Sequence, residues 1–227
     1  MKISFEEYGD DVIFRVYNYD KKYEEVLEMC FYQKDEDGYI KKFSKNIENL
    51  EKIKSNYKRY AEEMFSQLGY FRPIPWKEAL LEFLKRIEGS GVDWWLTGSC
   101  AACLRGIKLN PHDIDIMVDS RDIDKVSEIF TDCIVEPIVD TNGWLTKDFG
   151  VIFLKARIDI ASEPQECLDK PEPIDCGPYA KKNLEDLTWN SYKIKVPPVN
   201  LQLNANRRRG RVERVKLIEE YISKYQK

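Results

Sequence analysis

VDWWLTGSCAACLRGIKLNPHDIDIMV, residues 92–118, is the stretch that decides the fold. An apolar strand runs into Gly98 and Ser99, a short helix follows, and a second apolar strand carries Asp113 and Asp115. Alternate residues of a strand share one face, so the two carboxylates point the same way while the isoleucines beside them point into the core. Paired carboxylates repel each other unless a divalent cation lies between them. The spacing therefore favours a metal site, with a solvated strand face as the alternative.

A third carboxylate, Asp159, lies on another apolar strand, in the sequence RIDIA of residues 157–161. If this strand lies beside the strand of Asp113 and Asp115, the three carboxylates can hold two Mg²⁺ ions, one at an acceptor oxygen and one at a triphosphate. Phosphoryl-type transfer depends mainly on positioning and on charge neutralisation, so this set is sufficient for it. We expect Asp159 to take the acceptor's proton, with Glu163 as the alternative base.

The turn formed by Gly98 and Ser99 precedes a helix, and this is typical of a phosphate site. Glycine lets the backbone approach a phosphate closely, and the helix start offers unpaired N–H groups and the positive end of a dipole. The Ser99 hydroxyl adds a donor. A plain strand-to-helix turn is the alternative.

In their order and compact spacing, residues 95–99, 104–106 and 112–116 resemble the polymerase-beta-like nucleotidyltransferase superfamily. That superfamily has a Gly-Ser or Gly-Gly turn, a helix, a strand with Asp-x-Asp and a later strand with a third Asp. The resemblance is greatest to small bacterial members, such as lincosamide and aminoglycoside nucleotidyltransferases and toxin-type relatives. It covers about residues 94–161.

The resemblance implies an NTP-dependent enzyme, with ATP as the expected triphosphate. Its phosphates would lie on Gly98 and Ser99, and two Mg²⁺ ions would lie on Asp113, Asp115 and Asp159. Many members carry a basic residue soon after the turn, whereas this chain has the sequence CAAC at residues 100–103, which leaves the other phosphate contacts open.

Alternating strands and helices predict an α/β (α+β) fold, in which a mixed sheet is flanked by helices. The prolines of FRPIP, residues 71–75, break a long helix and mark a boundary. We therefore expect an N-terminal α+β extension over residues 1–72. The nucleotidyltransferase core then covers residues 73–227 and ends in helices interrupted near Gly210. The extension could shape the acceptor site or form a homodimer.

The composition excludes several classes of protein. The net charge of −4 argues against a general nucleic-acid coat protein, and no apolar run is long enough to span a membrane. Six scattered cysteines indicate reduced thiols in a cytoplasmic protein. The single histidine, His112, argues against a Cys/His zinc site. We interpret the CxxC pair, Cys100 and Cys103, as small helix residues of the core.

The acceptor is less well defined by the sequence. A basic cluster, which we define as the five arginines within residues 207–214, could hold triphosphate or an RNA acceptor, or could form a solvated face paired with glutamates. The mild acidity of the chain favours a small, cationic, antibiotic-like acceptor. A tRNA end, a protein side chain and a non-catalytic nucleotide-binding module of the same fold are the alternatives. Trp144 is the best candidate for stacking on a substrate.

Overall fold

The computed structural model describes residues 1–225, in which helices join two sheets and a separate hairpin. The strands are β1 (Lys2–Tyr8), β2 (Asp11–Tyr17), β3 (Gln33–Lys34), β4 (Tyr39–Ser44), β5 (Trp94–Thr97), β6 (Ile114–Val118), β7 (Ile134–Asp140), β8 (Asp148–Leu154), β9 (Ala156–Ser162), β10 (Glu185–Trp189) and β11 (Tyr192–Val196). The helices are α1 (Glu24–Met29), α2 (Leu50–Leu68), α3 (Trp76–Ile87), α4 (Gly98–Leu104), α5 (Ile123–Ile129), α6 (Pro178–Lys182), α7 (Val199–Arg208) and α8 (Val212–Tyr225).

The N-terminal sheet has the order β1-β2-β4-β3, and its strand pairs are antiparallel. Val12, Phe14 and Val16 alternate with half-buried residues and are fully buried, as the period-two pattern of this segment predicts. Their face packs on α2, where the rings of Phe14 and Tyr57 meet edge to face with centroids 5.1 Å apart. Helix α1 lies between β2 and β3.

The central sheet has the order β5-β6-β9-β8-β7. Strands β6 and β9 are parallel and the other neighbours are antiparallel, so the sheet is mixed, as predicted. In the parallel pair Asp115 lies opposite Asp159. Ile116 and Ile160 also pair, and both are buried in the core. The α/β (α+β) class is confirmed.

Several element bounds differ from the prediction. Strand β6 begins at Ile114, so Asp113 lies just before the strand, whereas the sequence predicted a strand that carries both Asp113 and Asp115. Strands β7 and β10 were not predicted. Pro137 and two register shifts interrupt the alternating pattern by which a strand is predicted from sequence. The structure tolerates them in β7 because this strand lies at the edge of the sheet.

Helices pack against the central sheet, and two helices form the C-terminal segment. Helix α2 packs against β7, α3 against β8 and β9, and α4 against β5 and β6. The predicted C-terminal helical segment consists of α7 and α8, which separate at Gly210, where φ is +62°. One apolar core includes residues of both sheets, and the division at residues 72 and 73 stays a prediction. No helix within residues 1–225 is long and apolar enough to cross a membrane.

Candidate active site

Three aspartates meet where the start of β6 pairs with the middle of β9. Asp113, Asp115 and Asp159 each offer a carboxylate oxygen, and these oxygens lie within 4.8 Å of one another. The parallel register places Asp115 beside Asp159, and Asp113 approaches from the residue before the strand. The three side chains are half-buried and line a cleft of about 300 Å³.

Gly98 is required by this cluster. A Cβ at position 98 would collide with Oδ2 of Asp115, and the residue has φ of +65°, which favours glycine. The turn therefore gives the Asp115 carboxylate room beside the start of α4. Ser99 is buried, and the cleft is lined by Thr97 rather than by Gly98 or Ser99.

The carboxylates differ in protonation behaviour. Burial and the charges of Asp113 and Asp159 raise the pKa of Asp115 well above its usual value. Burial also raises the pKa of Asp159 to about 6, although Arg157 opposes the shift. Burial acts in the same direction on Asp113, but its bond to His112 and the charge of Arg157 outweigh it and lower the pKa of that carboxyl. Burial and mutual repulsion thus oppose ionisation of Asp115 and Asp159, a cost that a bound cation would relieve.

Arg157 holds Asp159 in place. Its Nε donates to Asp159 Oδ1 over 2.6 Å, and both side chains lie on one face of β9 because they are two residues apart. Its Nη1 lies 3.5 Å from the sulfur of Cys30 in the N-terminal extension. Only one oxygen of Asp159 is engaged by Arg157, so the other is free to meet a ligand.

A buried ion pair continues this network. Lys41 donates to Glu136 over 2.6 Å, and Tyr32 donates to the same carboxylate over 3.0 Å. Burial acts to raise the pKa of Glu136, but the charges of Lys41 and Arg157 outweigh it and lower the pKa. Charges of alternating sign therefore run from β4 through β7 to β9.

Asp175 is a fourth buried carboxylate that the sequence did not single out. The N–H of Gly98 donates to its Oδ2 over 3.2 Å, and Thr97 Oγ1 donates to its carbonyl over 2.7 Å. Burial raises its pKa, and Arg209 opposes the shift. Asp175 lies in a coil segment, where no strand period marks its direction. The sequence marks this position only weakly, through the apolar neighbour Ile174 and the turn residues Gly177 and Pro178 that follow.

The basic cluster is divided in the structure. Arg207 pairs with Glu219, and Arg208 donates to the carbonyls of Leu168 and Glu172. Arg209 and Arg211, by contrast, line the same cleft as the aspartates. Burial and the charges of Arg209 and Arg214 lower the pKa of Arg211, so positive charge is crowded here.

The rest of the cleft is largely apolar. Met117, Phe149 and Ala161 line it from the central sheet, and Phe31 lines it from the N-terminal extension. Trp144 stands between them, with ring centroids 5.5 Å from Phe31 and 5.8 Å from Phe149.

His112 also lines the cleft, and its Nδ1 lies 3.1 Å from Asp113 Oδ2. Glu163 instead bonds to Ser120 and lines a separate pocket with Asp140 and Lys147. Arg105 pairs with Glu185, away from the cleft residues.

The side-chain amides of Gln202 and Asn206 in α7 do not line the cleft. Gln202 donates to the carbonyl of Gly98, and Asn206 donates to the carbonyl of Gln202. The CxxC cysteines are free thiols, Cys100 buried and Cys103 half-buried.

Comparison with known proteins gives a family match over residues 79–159, to the family described as aminoglycoside-2''-adenylyltransferase. No curated protein gives a significant match. A solved structure from Thermotoga maritima, described as that of a nucleotidyltransferase, has 21% identity and a TM-score of 0.48, covering 66% of this chain and 93% of that chain. The lincosamide adenylyltransferase LnuA with bound lincomycin has 16% identity and a TM-score of 0.44, covering 63% of this chain and 96% of that chain. ANT(2'')-Ia with adenylyl-2''-tobramycin has 12% identity and a TM-score of 0.42, covering 64% of this chain and 90% of that chain.

The matched segment begins in α3 and ends at Asp159, so it includes the Gly98 turn and all three aspartates. Residues 79–159 are therefore similar to the aminoglycoside-2''-adenylyltransferases, which confirms the resemblance to nucleotidyltransferase enzymes that the sequence predicts.

Proposed function

We propose that this protein is a metal-dependent nucleotidyltransferase that moves a nucleoside monophosphate from a nucleoside triphosphate, ATP, to the hydroxyl of a small-molecule acceptor. The observation that carries the proposal is the meeting of Asp113, Asp115 and Asp159 within 4.8 Å, in a cleft that Arg209 and Arg211 also line. A metal-bound triphosphate suits this cleft, because the carboxylates would attract its cation and the arginines would attract its phosphate oxygens.

The donor set fits Mg²⁺. Carboxylate oxygens are the ligands that Mg²⁺ prefers, and the raised pKa of Asp115 marks a repulsion that a cation would relieve. Asp113, Asp115 and Asp159 are the residues that would hold two ions. When bound, such ions supply Lewis-acid activation of the acceptor oxygen and charge neutralisation at the leaving group.

Asp159 is the residue we propose as the proton acceptor. In the reaction the acceptor oxygen forms a bond to the α-phosphorus, the bond from that phosphorus to the bridging oxygen of the β-phosphate breaks, and pyrophosphate leaves. The proton of the acceptor hydroxyl passes to the oxygen of Asp159 that Arg157 leaves free. A carboxyl whose pKa lies at about 6 is suited to a general base near neutral pH.

Arg209 and Arg211 are proposed to bind the phosphates. Guanidinium groups suit phosphate oxygens, and an anion between Arg209, Arg211 and Arg214 would relieve the crowding that lowers the pKa of Arg211. Gly98 and Ser99 stay in the proposal as the start of α4. The Gly98 N–H already donates to Asp175 and Ser99 does not line the cleft, so in this arrangement the arginines make the phosphate contacts.

The family match supports a small hydroxylated acceptor. An RNA acceptor would need a continuous basic surface, and the structure engages Arg207 and Arg208 in pairs with neighbouring groups. The basic cluster therefore favours triphosphate binding at Arg209 and Arg211 over RNA binding.

The test is transfer of label from each α-labelled nucleoside triphosphate to a panel of acceptors: aminoglycosides, lincosamides, total tRNA and protein extract. We expect Mg²⁺-dependent labelling of a small molecule with ATP, abolished in Asp113→Asn. The matched control is Asp140→Asn, an exposed aspartate that does not line the cleft. Labelling that does not depend on Mg²⁺, no labelling of any acceptor, or full activity of Asp113→Asn would refute the proposal.

A further inference from the structure

A second groove opens beside the cleft. It encloses about 290 Å³ between the N-terminal extension and the edge of the central sheet. Apolar residues dominate its lining, namely Phe31, Phe43, Pro137, Val139, Trp144 and Phe149. A groove of this size accommodates one ring with its substituents, not a large macromolecule.

The groove is continuous with the cleft, because Phe31, Trp144 and Phe149 line both. Phe149 lies opposite Ala161 in the antiparallel pair of β8 and β9, and Asp159 is two residues from Ala161 on the same face. Diagonal neighbours of this kind have Cβ atoms about 7–8 Å apart. A ring in the groove can therefore place an attached hydroxyl beside the aspartates.

The aromatic residues at this junction are exposed and held in place. Phe31 is 62% exposed and Trp144 is 43% exposed, and the rings contact edge to face at an interplanar angle of 77°. Phe31 also has a φ of +64°, a strained conformation for a bulky side chain. Exposed, fixed aromatic rings beside a candidate active site suit contact with a ring of a ligand.

The groove offers no net negative charge to attract a polycation. Its charged lining residues are Lys41 and Glu136, which neutralise each other across 2.6 Å. The aspartates that would attract a cationic acceptor lie in the cleft, where Mg²⁺ is proposed to meet them. The groove itself therefore offers an apolar surface without net charge.

We infer that this groove is the acceptor subsite, and that its occupant is an uncharged aromatic or alicyclic ring attached to the hydroxyl that receives the nucleotide. The inference rests on the proposed function, and it departs from the expectation of a cationic acceptor. Residues of the N-terminal extension thereby determine acceptor specificity.

The test uses 4-nitrophenyl β-D-glucopyranoside, a neutral sugar with an aromatic ring, compared with methyl β-D-glucopyranoside and tobramycin. Dissociation constants are measured by ligand-observed NMR titration in the presence of Mg²⁺ and a non-hydrolysable ATP analogue. We expect the aryl glucoside to bind about tenfold more tightly than the methyl glucoside, because its ring leaves water. Tobramycin should bind no more tightly than the methyl glucoside.

The variant that decides the site is Val139→Trp, because Val139 lines the groove and not the cleft. It should fill the groove and abolish the preference for the aryl glucoside while leaving binding of the Mg²⁺–ATP analogue unchanged. Val139→Ala, which adds no bulk, should keep the preference. If Val139→Trp does not fold, Val139→Met serves as a milder filler and should reduce the preference several-fold.

An aryl preference that is absent from the wild type, or that survives the filling variants, overturns the inference and leaves the proposed function standing. Tighter binding of tobramycin overturns it as well. Failure of the wild type to bind the Mg²⁺–ATP analogue overturns the proposed function, and the inference falls with it.

Discussion

The substitution Asp115→Asn should stabilise the metal-free protein while it removes the proposed activity. Asp115 lies among Asp113, Asp159 and Asp175, and burial and their charges raise its pKa. Two carboxylate charges 4.8 Å apart, the largest separation in the cluster, repel by about 3 kcal/mol at an effective dielectric constant near 20. Asparagine keeps the size of the side chain and removes its charge.

Burial, and after it the charge of Asp113, raise the pKa of Asp159 from 3.8 to about 6, which measures the cost of ionising a carboxyl in this cleft. The rise corresponds to about 3 kcal/mol of cost for the ionised form, although Arg157 already offsets part of the repulsion. Arg209 likewise attracts Asp115, so we expect a net gain of about 1–3 kcal/mol in the free energy of unfolding. For a chain of this length that gain raises Tm by about 3–10 °C.

The sign of the pH dependence follows from these raised pKa values. Below about pH 4 the carboxyls are protonated in both the folded and the unfolded protein, so the wild type carries no cost. As the pH rises from about 4 to about 6, the unfolded chain ionises its carboxyls while the fold opposes ionisation, so the wild type progressively loses stability, whereas the variant has one such carboxyl fewer. The stability gain of Asp115→Asn should therefore be smaller at pH 5 than at pH 7.5.

The assay is thermal unfolding in EDTA at pH 5 and 7.5, followed by circular dichroism and repeated in millimolar Mg²⁺. Mg²⁺ should raise Tm of the wild type more than that of the variant. Asp119→Asn is the matched control, because the bonds from Arg121 and Lys181 lower the pKa of Asp119, and its loss should lower Tm at pH 7.5. A Tm of Asp115→Asn at or below wild type in EDTA at pH 7.5, or an equal gain at pH 5, refutes the reasoning.

Three further predictions follow from the same network. Lys41→Met leaves Glu136 buried without its cation and should cost about 3 kcal/mol in urea unfolding, whereas Lys34→Met, at an exposed pair, should not change the midpoint. Arg209→Ala should weaken Mg²⁺–ATP binding at least tenfold by calorimetry, while Arg207→Ala, which loses only its surface pair with Glu219, should not. Gly98→Ala should reduce transfer and Mg²⁺ affinity together, because its methyl group displaces the Asp115 carboxylate; normal Mg²⁺ affinity would contradict this.

The parts of the site that lie in strands were predictable from the sequence. Period-two alternation placed Ile114 and Ile116 in the core and Asp115 on the other face, and the structure agrees. The proximity of Asp159 depended on the order of strands, which no local pattern specifies. The parallel pairing of β6 with β9 brings Asp159 beside Asp115, although two other strands lie between β6 and β9 in the chain.

Other residues escaped prediction for physical reasons. Arg157 follows the same alternation as Asp159 and could have been found from it, since residues two apart on a strand share a face. Glu136 lies on a bulged edge strand with Pro137, which hides its period, and its partner Lys41 is distant in sequence. The division of the basic cluster depends on how α7 and α8 turn at Gly210, and charge composition does not determine that turn.

The charge network also explains why the N-terminal extension lies against the central sheet. Arg157 is buried beside Asp159, and a buried cation needs more than one partly ionised carboxyl to offset its desolvation. Glu136 supplies further negative charge, and Glu136 in turn needs Lys41 and Tyr32 from the extension. The aspartate proposed as the base is thus positioned by Arg157, whose burial depends on residues more than a hundred positions earlier. On this argument the extension supports the proposed active site, and the residues that hold Asp159 and those that line the proposed acceptor groove belong to one structural unit.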